Sequence, residues 1–271
     1  MKAALLSEYR KIVTTRMWWI LLISFAGYVA FTAAAFGFSM HTARDTGAGQ
    51  GADPLLLTDA VIASSTYGVA TSIGYAFPLI VGTLLVTNEF RYQTLTPTFL
   101  AGPSRTIMLL AKLGASFVIG LVFGVVGVVA TVATGAGAIA VAGGDTLLGD
   151  PEIRRGIVLS VVALAVWTVV GVGFGAVLPN QVAAIVVILG FTQLVEPVAR
   201  LVLAVWPVTE GIARYLPGAA GDAIAGGSIY SMMSAGGVQL LEWWQGLLVL
   251  LAYAAVLSAI GRFTRLRRDV T

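Results

Sequence analysis

The residues best placed to do work in water form one cluster. It is Glu89-Phe90-Arg91-Tyr92-Gln93-Thr94, continuing through Leu95, Thr96-Pro97-Thr98-Phe99-Leu100 and Pro103-Ser104-Arg105. It stands between two long uncharged stretches, 28 residues from Val61 to Asn88 and 32 from Leu113 to Gly144. Charges set beside Phe90, Tyr92, Leu95, Phe99 and Leu100 suit a short docking element. The large apolar groups fill a groove on a soluble partner, and the charges set the register. A plain connecting loop is the competing reading, but it has no need of these side chains. Pro97 removes a backbone donor, so a helix here breaks or restarts near Thr96.

A second constellation is Glu196 and Arg200, a charged pair embedded in an apolar run. Their i, i+4 spacing places them on one helical face. Glu196 falls roughly 21 Å along a helix that starts near Val182, in its outer part. Ionisable residues at such depth are functional candidates by default. The alternative is a self-neutralising pair near the outer interface, with Pro197 ending the helix early. Polar side chains from Ser64 to Tyr75, and Asn180, Gln181, Thr192 and Gln193, either line a path or pack between helices.

Other chemistry is poorly supplied. There is no cysteine, so disulfides, thiolate metal sites and cysteine nucleophiles are excluded. The lysines are Lys2, Lys11 and Lys112, and none completes a Gly-x-x-x-x-Gly-Lys-[Ser/Thr] phosphate loop. Neither His-Glu-x-x-His nor Gly-x-Ser-x-Gly occurs. The single histidine, His41, reads as a solvated residue of the first outer loop. The chain is not read as an enzyme; catalytic residues, metal ligands and cofactors are expected to be absent from it.

The elements that must position these residues follow from composition. Hydrophobic residues make up 58% of the 271-residue chain and charged residues 11%, against roughly 45–50% and 25% in soluble domains. This is an integral membrane protein, with one transmembrane domain over residues 1–271. Six segments have the roughly 20 apolar residues that a spanning helix needs. They are Met17 to Phe38, Ala63 to Thr87, Thr106 to between Val129 and Ala142, Gly156 to Leu178, Val182 to Ala204, and Trp243 to Gly261. The first is longer than a signal core, so it is expected to stay uncleaved despite Ala33-Ala34-Ala35. Residues 205–240 are too broken by Pro207, Pro217 and paired glycines to span, and read as outer re-entrant segments or loops. Gly120 with Gly124 and Gly171 with Gly175 form GxxxG pairs that mark close helix packing.

Residues 3–17 read as an amphipathic helix, with Leu5, Leu6, Tyr9, Ile12, Val13 and Met17 on one face. Such a helix lies along the cytoplasmic leaflet; a basic lead-in that only sets topology is compatible with it. With both ends in the cytoplasm, that side carries 11 of the 16 basic residues and a net charge of +8, against −5 on the other side. The positive-inside rule prefers this orientation strongly. The net charge of +3 then reflects topology and does not point to nucleic acid.

The run from Glu89 to Thr94, the Thr96-to-Leu100 stretch, Pro103-Ser104-Arg105 and Leu109-Leu110-Ala111-Lys112-Leu113 together resemble the coupling region of type-2 ABC transporter permeases. The amphipathic lead-in and six-span layout are similar to that family as well, although only residues 88–113 resemble it specifically. The resemblance implies a cytoplasmic coupling helix within residues 88–105, between spans two and three. Glu89, Phe90, Arg91, Tyr92, Thr94 and Phe99 would be ATPase-coupling residues. It further implies a second permease subunit, as homodimer or heterodimer, and separate ATPase subunits that bind ATP and Mg²⁺. The expected function is export of a hydrophobic or amphipathic compound, such as a drug, antibiotic or lipid, across the bacterial plasma (inner) membrane. A non-transporting sensor or immunity subunit that docks an ATPase is the alternative. An ion channel is the third reading, and no charged or carbonyl-rich filter is visible for it.

Overall fold

The computed structural model describes residues 2–46, 58–94, 105–204, 211–230 and 240–264. Among them all regular structure is helical. Helix α1 covers Lys2–Val13 and α2 covers Met17–Asp45; α3, α4 and α5 cover Asp59–Tyr67, Val69–Ser72 and Ala76–Arg91. The long α6 is Arg105–Val141 and α7 is Pro151–Val177. Helices α8 (Gln181–Gly190) and α9 (Glu196–Ala204) are joined by a π-helical turn over Phe191–Val195. The short α10 is Pro217–Ala225, and α11 is Trp243–Thr264.

Among the described residues five helices are long and apolar enough to cross a membrane: Met17–Asp45, Thr106–Val141, Pro151–Val177, Gln181–Leu203 and Trp243–Thr264. This is the layout of a multi-pass membrane protein. The helices start where local chemistry requires. The Asp150 side chain accepts from the backbone N–H groups of Glu152 and Ile153, with Pro151 in the first turn of α7. Asn180 caps α8 by accepting from the N–H of Ala183. Gly226 ends α10 in the left-handed region, at φ +74°.

The second expected span, Ala63 to Thr87, is not one continuous helix. It is divided into α3, α4 and α5, with breaks at Gly68 and over 73–75. The reason lies in its hydroxyl-rich, glycine-punctuated sequence. Ser64, Thr66 and Thr71 donate to the carbonyls of Val61, Ile62 and Gly68 one turn back, which bends helices. At Gly68 a Cβ would sit 2.9 Å from the carbonyl oxygen of Gly227, so only glycine permits that backbone approach. Ser72 and Tyr75 at the second break reach partners on other helices, as described below.

Contacts place the chain's reversals at two opposite ends. Glu8, Glu89 and Lys112 meet at one end, where Arg91 also reaches Gln181. At the other end Arg44 pairs with Asp59, and the Tyr67 hydroxyl donates to the carbonyl of Thr146. Helix α7 is the central post. Gly82 of α5 and Gly171 of α7 bring those two backbones into direct contact, and Gly120 and Gly124 of α6 lie against Ala165, Thr168 and Val161 of α7. Small residues let helices approach closely in lipid, where packing rather than hydrophobicity drives association. Phe25, Tyr75, Phe123, Leu164, Trp167 and Leu250 fill the space around α7.

Candidate functional site

The polar side chains collect at two depths. Deep in the bundle, α9 presents Glu196 and Arg200, which are 1% and 6% exposed. Arg200 Nη2 lies 2.9 Å from Glu196 Oε1, and Arg200 Nη1 lies 2.7 Å from Asp222 Oδ2. The remaining lone pairs are occupied too. Tyr75 donates its hydroxyl to Glu196 Oε2 at 2.8 Å, and the Gly218 N–H donates to Oε1. Asp222 accepts from Ser72 at 2.7 Å and from Ser228 at 2.6 Å. The Arg200 guanidinium also lies over the Tyr230 ring, 4.9 Å from its centroid. Buried charge is tolerated only when paired and hydrogen-bonded in this manner.

The two sequence-marked residues therefore pair, but not as a closed couple. Asp222, on the short α10, is the third charge and was not singled out from the sequence. The signal for it was an isolated carboxylate in the small-residue run from Gly218 to Gly227, which demands a distant cation. Nor does Pro197 end the helix, because α9 continues to Ala204. The π-turn over 191–195 ends two residues before this proline, where the missing N–H and the ring's bulk would disrupt ordinary α-helical bonding.

The second cluster lies where α1, the end of α5 and the start of α6 meet. Lys11 Nζ is 2.8 Å from Glu8 and 2.6 Å from Glu89; Lys112 Nζ is 2.6 Å from Glu8 and 2.8 Å from Glu89. Lys112 also donates to the carbonyl of Leu85. Two acids and two lysines thus alternate around a ring. Burial opposes ionisation of Glu8, but the attraction of Lys112 and the hydrogen bonds from both lysines outweigh it and hold its pKa below the ordinary value. Burial likewise opposes charge on Lys11, but Glu8 and Glu89 outweigh it and raise its pKa.

This ring redistributes the residues marked as ATPase-coupling. Glu89 is 4% exposed and faces inward. Phe90 packs against a small core of Val86, Leu109, Val172 and Ala176. Arg91 and Tyr92 face outward: Tyr92 is 66% exposed, and Arg91 stacks near its ring while donating to Gln181 at 2.9 Å. Thr94 is exposed, and its N–H bonds the Glu89 carbonyl. The helix preceding them ends at Arg91, with Gln93 in the left-handed region at φ 53°. Phe99, Pro97 and the rest of the expected coupling helix lie outside the described residues. The amphipathic helix is present as Lys2–Val13, but its buried side differs from the expected one. Glu8 and Ile12 are buried while Tyr9 is 53% exposed, because the ion pair to Lys112 draws Glu8 inward.

His41 does not occupy a loop. Helix α2 runs on to Asp45, and His41 is 2% exposed, against Gly144. Its Nε2 is 2.7 Å from Arg44 Nη2, and its Nδ1 is 3.3 Å from the Asp45 carboxylate. No protein-family model matches the chain, and no curated protein matches it at a significant level.

Proposed function

We propose that this chain is a six-span permease subunit of an ATP-driven transporter of the type-2 ABC class, with both termini cytoplasmic. Helices α3, α4 and α5 together serve as the second span. The subunit pairs with a second permease subunit and with separate ATPase subunits that hold ATP and Mg²⁺, and it exports a hydrophobic or amphipathic compound across the plasma membrane. One observation carries this reading. Exposed Arg91 and Tyr92 sit directly beside a ring that joins α1, α5 and α6 through buried Glu8, Glu89 and Lys112 and half-exposed Lys11. A push on the exposed pair is delivered to three helices at once, because breaking the ring would leave buried charges unpaired. The absence of a phosphate loop from the sequence supports the division of labour, with hydrolysis on the partner.

The test is Arg91→Glu in the native host. A like charge at an interface can cost several kcal/mol. The variant is expected to insert normally, to lose co-purification of a Walker-motif ATPase, and to lose export. Wild-type ATPase recovery and wild-type export together would overturn the proposal. Loss of the ATPase without any export defect, even on deletion of the gene, would favour the non-transporting docking subunit.

A further inference from the structure

The two buried charge clusters differ in their sums. Glu8, Glu89, Lys11 and Lys112 balance. Glu196, Arg200 and Asp222 sum to −1, and their side chains are 0%, 7% and 0% exposed. The other arginines of that half of the bundle do not offset the excess. Arg44 pairs with Asp59, Arg154 is exposed, Arg155 lies over the Trp243 ring and Arg214 lies over the Tyr215 ring. Residues 205–210 and 231–239, which flank α10 outside the described structure, contain no Lys, Arg or His. The titratable groups around the cluster are phenols, uncharged at neutral pH. They are Tyr75 on α5, Tyr230 over Arg200 with Tyr28 of α2 in electrostatic reach of it, and Tyr253 on α11, which feels the Glu196 charge.

A buried charge without a counter-charge is so costly that the group neutralises instead. Geometry selects what neutralises it. Each carboxylate oxygen already faces donors: Glu196 Oε1 faces Arg200 and the Gly218 N–H, Glu196 Oε2 faces Tyr75, Asp222 Oδ1 faces Ser72, and Asp222 Oδ2 faces Arg200 and Ser228. A metal ion needs a shell of several oxygens turned toward it, and these N–H and O–H groups point at the oxygens it would use. A proton needs no such space. A hydroxyl both donates and accepts, so one that donates to a carboxylate can turn to accept from a carboxylic acid. Tyr75 has a second acceptor for its own hydrogen, the Thr192 carbonyl 3.5 Å away.

We propose that this cluster is a binding site for one proton, shared by Glu196 and Asp222. Arg200 balances one carboxylate and the proton balances the other. The two acids titrate as a pair, since each feels the same guanidinium. The cluster joins α9 and α10 to the second break of the second span, so proton binding is linked to how these elements sit. A motion that pulls Arg200 away draws in a second proton, and a motion that brings another cation in expels the first. This goes beyond the permease reading and does not rest on it.

The experiment is infrared spectroscopy of the purified protein in nanodiscs at neutral pH, reading the C=O stretch of a protonated carboxyl and its shift in D₂O. Wild-type protein is expected to show the band. Glu196→Gln and Asp222→Asn each leave one acid for one arginine, so each is expected to lose it. Arg200→Gln leaves two buried acids without a cation, and its band should be about twice as strong. If Asp222→Asn or Arg200→Gln does not fold, the wild-type protein and Glu196→Gln, which keeps Arg200 paired with Asp222, still decide. Absence of the band from wild-type protein would overturn the proposal, and stabilisation by Na⁺ in that case would give the charge to a metal ion. A band that survives in both single neutral variants would belong to another acid. A band lost from only one of them would show that the proton is not shared. Either result would also overturn it.

Discussion

Arg200 is held by two carboxylates, and this sets what removing each charge does. Glu196→Gln leaves the pair of Arg200 with Asp222 intact. Arg200→Gln leaves Glu196 and Asp222 both buried without a cation, a loss of the kind that costs about 3–5 kcal/mol. Thermal unfolding in detergent should therefore rank Arg200→Gln well below Glu196→Gln. The triple change Glu196→Gln, Arg200→Gln, Asp222→Asn should recover part of the loss. Equal melting temperatures for the two single variants would show that Asp222 does not share the charge. Tyr75→Phe removes a donor to the Glu196 carboxylate and should cost about 1.5–3 kcal/mol, as hydrogen bonds to charged groups do.

Docking of α1 is an element-scale property with a defined pH dependence. Glu8 has a lowered pKa, so its contribution is complete above its ordinary 4.5 and is lost as pH falls through the lower folded value. Lys11 has a raised pKa, so its contribution is complete below its ordinary 10.5 and is lost as pH rises through the higher folded value. A spin label at Tyr9→Cys should thus report immobilised α1 across the neutral range, with release only in acid below the usual carboxylate range or in strong base. Release near pH 6 to 7 would contradict the ring. Glycines offer a second element-scale contrast. Nothing lies within 4 Å of a Cβ placed at Gly137 on α6, whereas one at Gly171 on α7 meets the backbone of Leu79 and Thr83. Gly137→Ala should be neutral or stabilising by up to about 1 kcal/mol, from helix propensity. Gly171→Ala should lower the melting temperature by forcing α5 and α7 apart, and a neutral outcome would mean that these helices are not tightly apposed.

At the scale of the whole molecule, the proposed orientation puts the four-charge ring in the cytoplasm and the Asp150 end outside. The background contains no cysteine, so single cysteines report cleanly. Glu152→Cys should be labelled by an impermeant maleimide on intact cells, and Arg91→Cys only after permeabilisation. The reverse pattern would invert the topology and remove the cytoplasmic lever from the proposal.

Composition and run length were enough to read an all-helical membrane protein, because a bilayer demands about 20 apolar residues per crossing whatever the neighbours are. The i, i+4 placement of Glu196 and Arg200 on one helical face was also legible, since it depends on local backbone geometry. Three features were decided only by tertiary structure. Ser72 and Tyr75, at the second break of the second span, find their partners in Asp222 and Glu196, 150 and 121 residues away in the chain. Glu89 turns inward because Lys11 and Lys112 converge on it from two other helices. His41 is buried because α2 runs on past the expected end of its span and lies against Gly144. Local sequence marks which residues are expensive to bury. Which distant partner offsets that cost depends on helices that meet only in the folded bundle.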